Sequence, residues 1–197
     1  RRSTRPAVSA AQWTDVLLVA AWLVLGVDTY RQARRVPAAP AQVRSWNPPA
    51  AVRVGLLAAL LGGMLWLERA SGGRVVFHPA LAIVGLVLVA AGLALHLHAR
   101  RTLGRHWSAV VAVRDDHRLV TEGAYRVVRH PLYLAIVLLA LGTLLAHPSL
   151  AVLCAAVGVG IGVAVKVRLE DRVLHEALGA TWERYAERVP ALLPFRR

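Results

Sequence analysis

An all-α integral membrane protein of about five transmembrane helices is what this sequence predicts, and three observations carry the prediction. The hydrophobic fraction is 57% and the mean hydropathy +0.51, where soluble domains sit near about 45–50% apolar. The apolar residues gather in five runs separated by polar connections. Nearly all the positive charge lies in those connections, concentrated on alternate ones, as the positive-inside rule requires of a multi-pass chain.

The first run, Trp13 to Val27, is bounded by Asp15 and Asp28. The second, Ala50 to Leu67, carries Arg53 near its start, and the third, Pro79 to Leu97, is the cleanest. The fourth and fifth, Leu132 to Ala146 and Leu150 to Val165, are separated only by His147, Pro148 and Ser149. That spacing predicts a tight helical hairpin, with Pro148 stopping one helix and Ser149 capping the next. A span needs about 20 apolar residues, so the first, fourth and fifth read short. Gly158, Gly160 and Gly162 in the fifth run predict close, central packing, since small residues let helices approach in lipid. Beyond it, Val173, Leu174, Leu178, Trp182 and Tyr185 recur at helical spacing, and Gly179 divides them into two pieces.

The connection Arg31–Arg53 carries five Lys or Arg, Arg100–Arg129 seven and the tail from Lys166 seven, 19 of the 24. With five spans these fall on one side, which predicts a cytoplasmic C-terminus and an N-terminus outside. No cleavable signal peptide is expected, because the first apolar run sits behind Asp15 and lacks a small-residue cleavage site. The net charge of +13 also suits nucleic acid, but the Arg lie between apolar runs without interleaved exposed aromatics, so membrane lipids are the expected partner. Oligomeric state is not encoded in any feature of the sequence. Cys154 is the single cysteine, so no intramolecular disulfide forms. CxxC and HExxH motifs are absent, and His96 and His98 fall on different helix faces, so no metal is expected.

Charge and imidazole are costly near hydrocarbon and mark candidate sites. His130 and Tyr133, three apart at the start of the fourth run, share a helix face beside amides not yet hydrogen-bonded, a donor-rich place for an anion. Pro131 suits the first helical turn. Arg126 and Arg129 flank this point, and interfacial anchoring explains them equally well. Lys166 and Glu170, four apart, are spaced to pair on one face, with Arg168 and Asp171 completing a charged patch.

The string LVTEGAYRVVRHPLY, followed by EDRVL, LGATWERY, RVP and LLPF, resembles the isoprenylcysteine carboxyl methyltransferases and their bacterial relatives, a group that includes phospholipid N-methyltransferases. The resemblance covers Arg101 to Phe195 and divides the chain into N-terminal helices, 1–100, and a methyltransferase core, 101–197. It implies an integral membrane enzyme using S-adenosylmethionine, with the cofactor reached from the cytoplasm and a lipophilic small molecule or lipid reached from the bilayer. It implies cofactor contacts at His117, Leu119, Val120, Gly123, Tyr125, Arg129, His130, Tyr133, Pro190 and Leu193. It also implies a catalytic group of Glu170, Lys166 and Arg168, Glu170 nearest the methyl acceptor. Three departures stand out: Ala124 where the family often has Pro, Trp182 where it has Tyr, and Lys166 where the carboxyl methyltransferases have Arg. Arg grips a carboxylate bidentately and Lys does not, so the acceptor atom stays open among oxygen, nitrogen and sulfur. A non-enzymatic membrane scaffold or transporter subunit is the alternative from another class.

Overall fold

The computed structural model describes residues 9–35, 77–104 and 119–193, and among them every regular element is helical. These are α1 (Ala10–Arg35), α2 (Pro79–Leu103), a 3-10 turn (Gly123–Arg126), α3 (Pro131–Ala146), α4 (Leu150–Leu178) and α5 (Ala180–Arg188). Three helices, within α1, α2 and α4, are long and apolar enough to cross a membrane. At 1.5 Å per residue, the 16 residues of α3 reach only roughly 24 Å. The apolar runs understate α1 and α4, which continue as helix through the polar stretches around Asp28–Arg35 and Lys166–Leu178. Hydropathy marks the part of a helix that lies in lipid, while the hydrogen-bond ladder continues past it.

Among the described residues the α2–α3 seam is the most extensive contact, and it is made by what the residues lack. A Cβ on Gly85 would strike the Gly142 carbonyl and sit 2.7 Å from the Ala146 amide nitrogen. A Cβ on Gly142 would lie 2.9 Å from the Val89 nitrogen. The pairing of Gly85 with Gly142 and of Gly92 with Leu139 makes the two helices antiparallel. Leu139, fully buried, joins Val89, Ala146 and, from α1, Leu18 and Ala21 in one core. The central packing expected of Gly158, Gly160 and Gly162 is not found among the described residues, where nothing lies within 4 Å of a Cβ built on any of them. Close approach belongs to whichever face meets a neighbouring backbone, and that face is on α2 and α3.

Polar contacts fix α1. Asp28 meets His96 and Arg100 of α2, while Trp22 Nε1 donates to Thr143 Oγ1 and Asp15 pairs with His147 at the far end. So α1 runs parallel to α2 and antiparallel to α3. The second apolar run, Ala50 to Leu67, lies outside the described residues.

Pro131 opens α3 with His130 at its N-cap, and Ser149 Oγ accepts from the Val152 amide to open α4, as their sequence positions predict. Gly179 ends α4 and α5 follows directly. The C-terminal ends of α1, α2 and α4 and the N-terminal end of α3 thereby gather at one end of the bundle, and the polar residues gather with them.

Candidate active site

At that end two consecutive residues before α3 meet two consecutive acids on α4. His130 Nε2 donates to Asp171 Oδ1 at 2.7 Å, and Arg129 places NH2 3.3 Å from Asp171 Oδ2. One carboxylate thus holds both side chains. His130 Nδ1 lies 3.7 Å from Glu170 Oε2, and the Tyr133 hydroxyl is within hydrogen-bonding reach of the same carboxylate. The His130 and Tyr133 rings stand 5.7 Å apart, on one helix face as their spacing requires. The pairing of Glu170 with Lys166 does not form: among the described residues no ion pair joins them, because Glu170 turns to His130 and Tyr133.

The tail closes the site. The Arg129 amide donates to the Pro190 carbonyl at 2.8 Å and the His130 amide to the Ala191 carbonyl at 3.0 Å. The His130 amide, at the N-cap of α3, is therefore occupied by the chain's own backbone. The Arg129 guanidinium lies 5.6 Å from the Trp182 ring centre, close enough for cation–π attraction. Trp182 in turn packs edge-on against Tyr185, and these two with Val189 form a small core joined by Leu119, Leu174 and Leu178.

The turn before Arg129 is fastened at both ends. Tyr185 donates its hydroxyl to the Tyr125 carbonyl at 2.7 Å. Burial pushes the Tyr185 phenol up to about 12, with Asp171 adding to the rise and Arg129 opposing it. Burial, then Glu170, holds the Tyr125 phenol well above its ordinary range. Gly123 has φ +55°, and a Cβ there would lie 2.9 Å from Thr102 Oγ1 and 3.2 Å from His98 Nε2. Only glycine fits both the conformation and the space.

Arg129, His130, Tyr133, Tyr125 and Glu170 therefore converge. Gly123 shapes the turn, Leu119 packs against the Trp182, Tyr185 and Val189 core, and Val120 is half-buried. Pro190 acts through its carbonyl, whereas Leu193 is 60% exposed. Lys166 sits half-buried about one helical turn before Glu170, and Arg168 is exposed. His117 lies outside the described residues. The sequence reading missed the central part of Asp171. The available signal was two adjacent pairs, Arg129-His130 and Glu170-Asp171, each in register with the other.

Fold and site together define a multi-pass helical membrane protein with a carboxylate, imidazole and guanidinium cluster where its helices end. Residues 80–176 match the family model of the isoprenylcysteine carboxyl methyltransferase (ICMT) family, and this segment of the chain is similar to that family. It is 33% identical over 132 residues to protein-S-isoprenylcysteine O-methyltransferase B of Arabidopsis thaliana, covering 62% of this chain and 66% of that protein. It is 39% identical over 95 residues to the cobalt-zinc-cadmium resistance protein CzcN of Cupriavidus metallidurans, covering 47% of this chain and 44% of that protein. The chain thus spans less than two thirds of the length of these relatives. Its fold is similar to that of the eukaryotic intramembrane Ras methyltransferase ICMT, with a TM-score of 0.58 at 21% identity over 76% of this chain and 54% of that one.

Proposed function

We propose that this chain is a membrane-embedded methyltransferase that uses S-adenosylmethionine to methylate the carboxylate of a lipophilic, S-isoprenylcysteine-like acceptor. The observation that carries the reading is the convergence of Arg129, His130, Tyr133, Glu170 and Asp171 where apolar helices give way to polar ends. The cofactor would bring an electrophilic methyl group on a sulfonium. The residues fit it: Arg129 Nε is buried with no acceptor among the described residues, a donor suited to the cofactor's carboxylate. Transfer is an in-line displacement, so the protein's task is to position and desolvate.

In this reading His130, Tyr133 and the backbone of Leu119–Gly123 hold the methionine end, and Tyr125 with Pro190–Leu193 encloses the adenosine. Glu170 orients the acceptor, and Lys166 with Arg168 steadies its negative charge. A carboxylate acceptor needs no general base, only cations. The cofactor side faces the cytoplasm, because the Arg-rich connections of the sequence follow the helices that end here. Lys166, in place of the family's Arg, favours phospholipid N-methylation as the second reading.

The test supplies labelled cofactor to purified protein with three acceptors: an S-farnesylated N-acetylcysteine, extracted phospholipid and a small thiol. Base-labile methyl ester on the first supports the proposal, and label only in the other two overturns the acceptor. Glu170→Gln is expected to lower turnover on the labelled acceptor far more than cofactor affinity. Equal losses in both would remove Glu170 from the reacting centre.

A further inference from the structure

A second polar cluster lies at the same end of the bundle, joining Asp28, outside the matched segment 80–176, to His96 and Arg100 within it. Asp28 of α1 takes His96 Nε2 at 2.9 Å on one carboxylate oxygen and Arg100 NH2 at 3.1 Å on the other. The side chains of His96 and Arg100 are 6% and 11% exposed. Charge placed so deep against apolar helices is costly unless paired, so Asp28 is needed for α2 to hold this register. An apolar contact would join α1 to α2 more cheaply.

The helix end it holds is the floor of the site. His96 and Arg100 are one turn apart, and the same stretch of α2 brings both His98 and Thr102 against Gly123. The turn that begins at Gly123 carries Tyr125 and leads directly to Arg129 and His130. Arg100 also lies within electrostatic reach of the Tyr125 hydroxyl, as do Glu170 and Tyr185. A continuous set of contacts therefore runs from Asp28 through α2 to the turn.

We infer that Asp28 is a positioning residue for the Gly123–Arg126 turn, acting through His96 and Arg100 to fix the end of α2 on which that turn is seated. The inference takes its ligand from the methyltransferase reading, but its geometry stands without it. The far end of α1 supplies the control, since Asp15 with His147 also fastens α1 to the bundle, away from the site.

The experiment uses the full chain in lipid nanodiscs, as wild type, Asp28→Asn, Asp28→Glu, the milder His96→Gln, and Asp15→Asn. Hydrogen exchange over residues 119–130 and S-adenosylmethionine affinity are measured at a temperature where each variant is folded. Asp28→Asn and His96→Gln are expected to speed exchange over the turn and weaken cofactor binding by about tenfold, since small misplacements at a distance are costly. Asp28→Glu restores most of both, and Asp15→Asn leaves both at the wild-type value. Exchange over the turn equal in Asp28→Asn, His96→Gln and Asp15→Asn would reduce Asp28 to a staple and overturn the inference. Wild-type protein that binds no cofactor would overturn the functional reading alone, and exchange would still decide the role of Asp28.

Discussion

Along the α2–α3 seam the helices are joined by residues that have almost no side chain, whereas where α3, α4 and α5 meet they are joined by some of the most polar side chains in the molecule. Gly85, Gly142 and Ala146 let backbones touch. Asp171, by contrast, reaches across to Arg129 and His130. The difference follows from the solvent. Lipid offers no hydrophobic drive for one apolar helix to leave it for another, so the gain must come from close packing. Near a polar helix end charged groups keep part of their hydration, and a pair with good geometry then holds the helices.

The comparison breaks most severely at Gly142. Gly142→Leu places a side chain against the Gly85 carbonyl and Val89, and is expected to cost about 3 kcal/mol or more of stability. Thermal unfolding in detergent measures it. Gly160→Ala on α4, open among the described residues, is expected to be neutral or to stabilise by up to about 1 kcal/mol. Equal damage at both positions would show that the seam is not special.

The polar end breaks at Asp171. Asp171→Asn keeps the shape but removes the charge that Arg129 and His130 share. Hydrogen bonds to charged groups are worth about 1.5–3 kcal/mol, so cofactor affinity should fall roughly ten- to a hundredfold while the unfolding temperature changes little. A large loss of stability with unchanged binding would make Asp171 part of the scaffold.

Tyr185 gives the smallest effect and sharpens the boundary between the two regions. Tyr185→Phe removes the bond to the Tyr125 carbonyl and should cost about 1 kcal/mol. The bond needs the neutral phenol. Burial raises the folded pKa from 10.0 to about 12, so this contribution is complete below pH 10 and is lost as pH rises through about 12. Unfolding measured between pH 8 and 12 should therefore show a loss above pH 10 in wild type that is reduced in Tyr185→Phe.

The parts that were legible in the sequence are those set by local chemistry. Pro131, Ser149 and Gly179 act at helix ends, where one residue's backbone preference decides the outcome. The pairing of His130 with Tyr133 followed from helical period alone. What was not legible depends on which faces meet. Gly158 and Gly162 have the spacing of a packing motif, yet the seam formed at Gly85 and Gly142, and nothing in local sequence distinguishes the two. Asp171 was visible as half of an acidic pair, but its reach to both Arg129 and His130 exists only once α3 and α4 are set side by side. Asp28 read as the boundary of an apolar run and is instead the partner of two residues roughly seventy positions away in sequence.

The most direct test of the central claim is calorimetric titration of S-adenosylmethionine into the detergent-solubilised chain, wild type beside His130→Ala. Saturable one-site binding by wild type that is lost in a folded His130→Ala variant is the predicted result. Well-folded wild type that takes up no cofactor, or a variant that binds as tightly as wild type, would contradict the account.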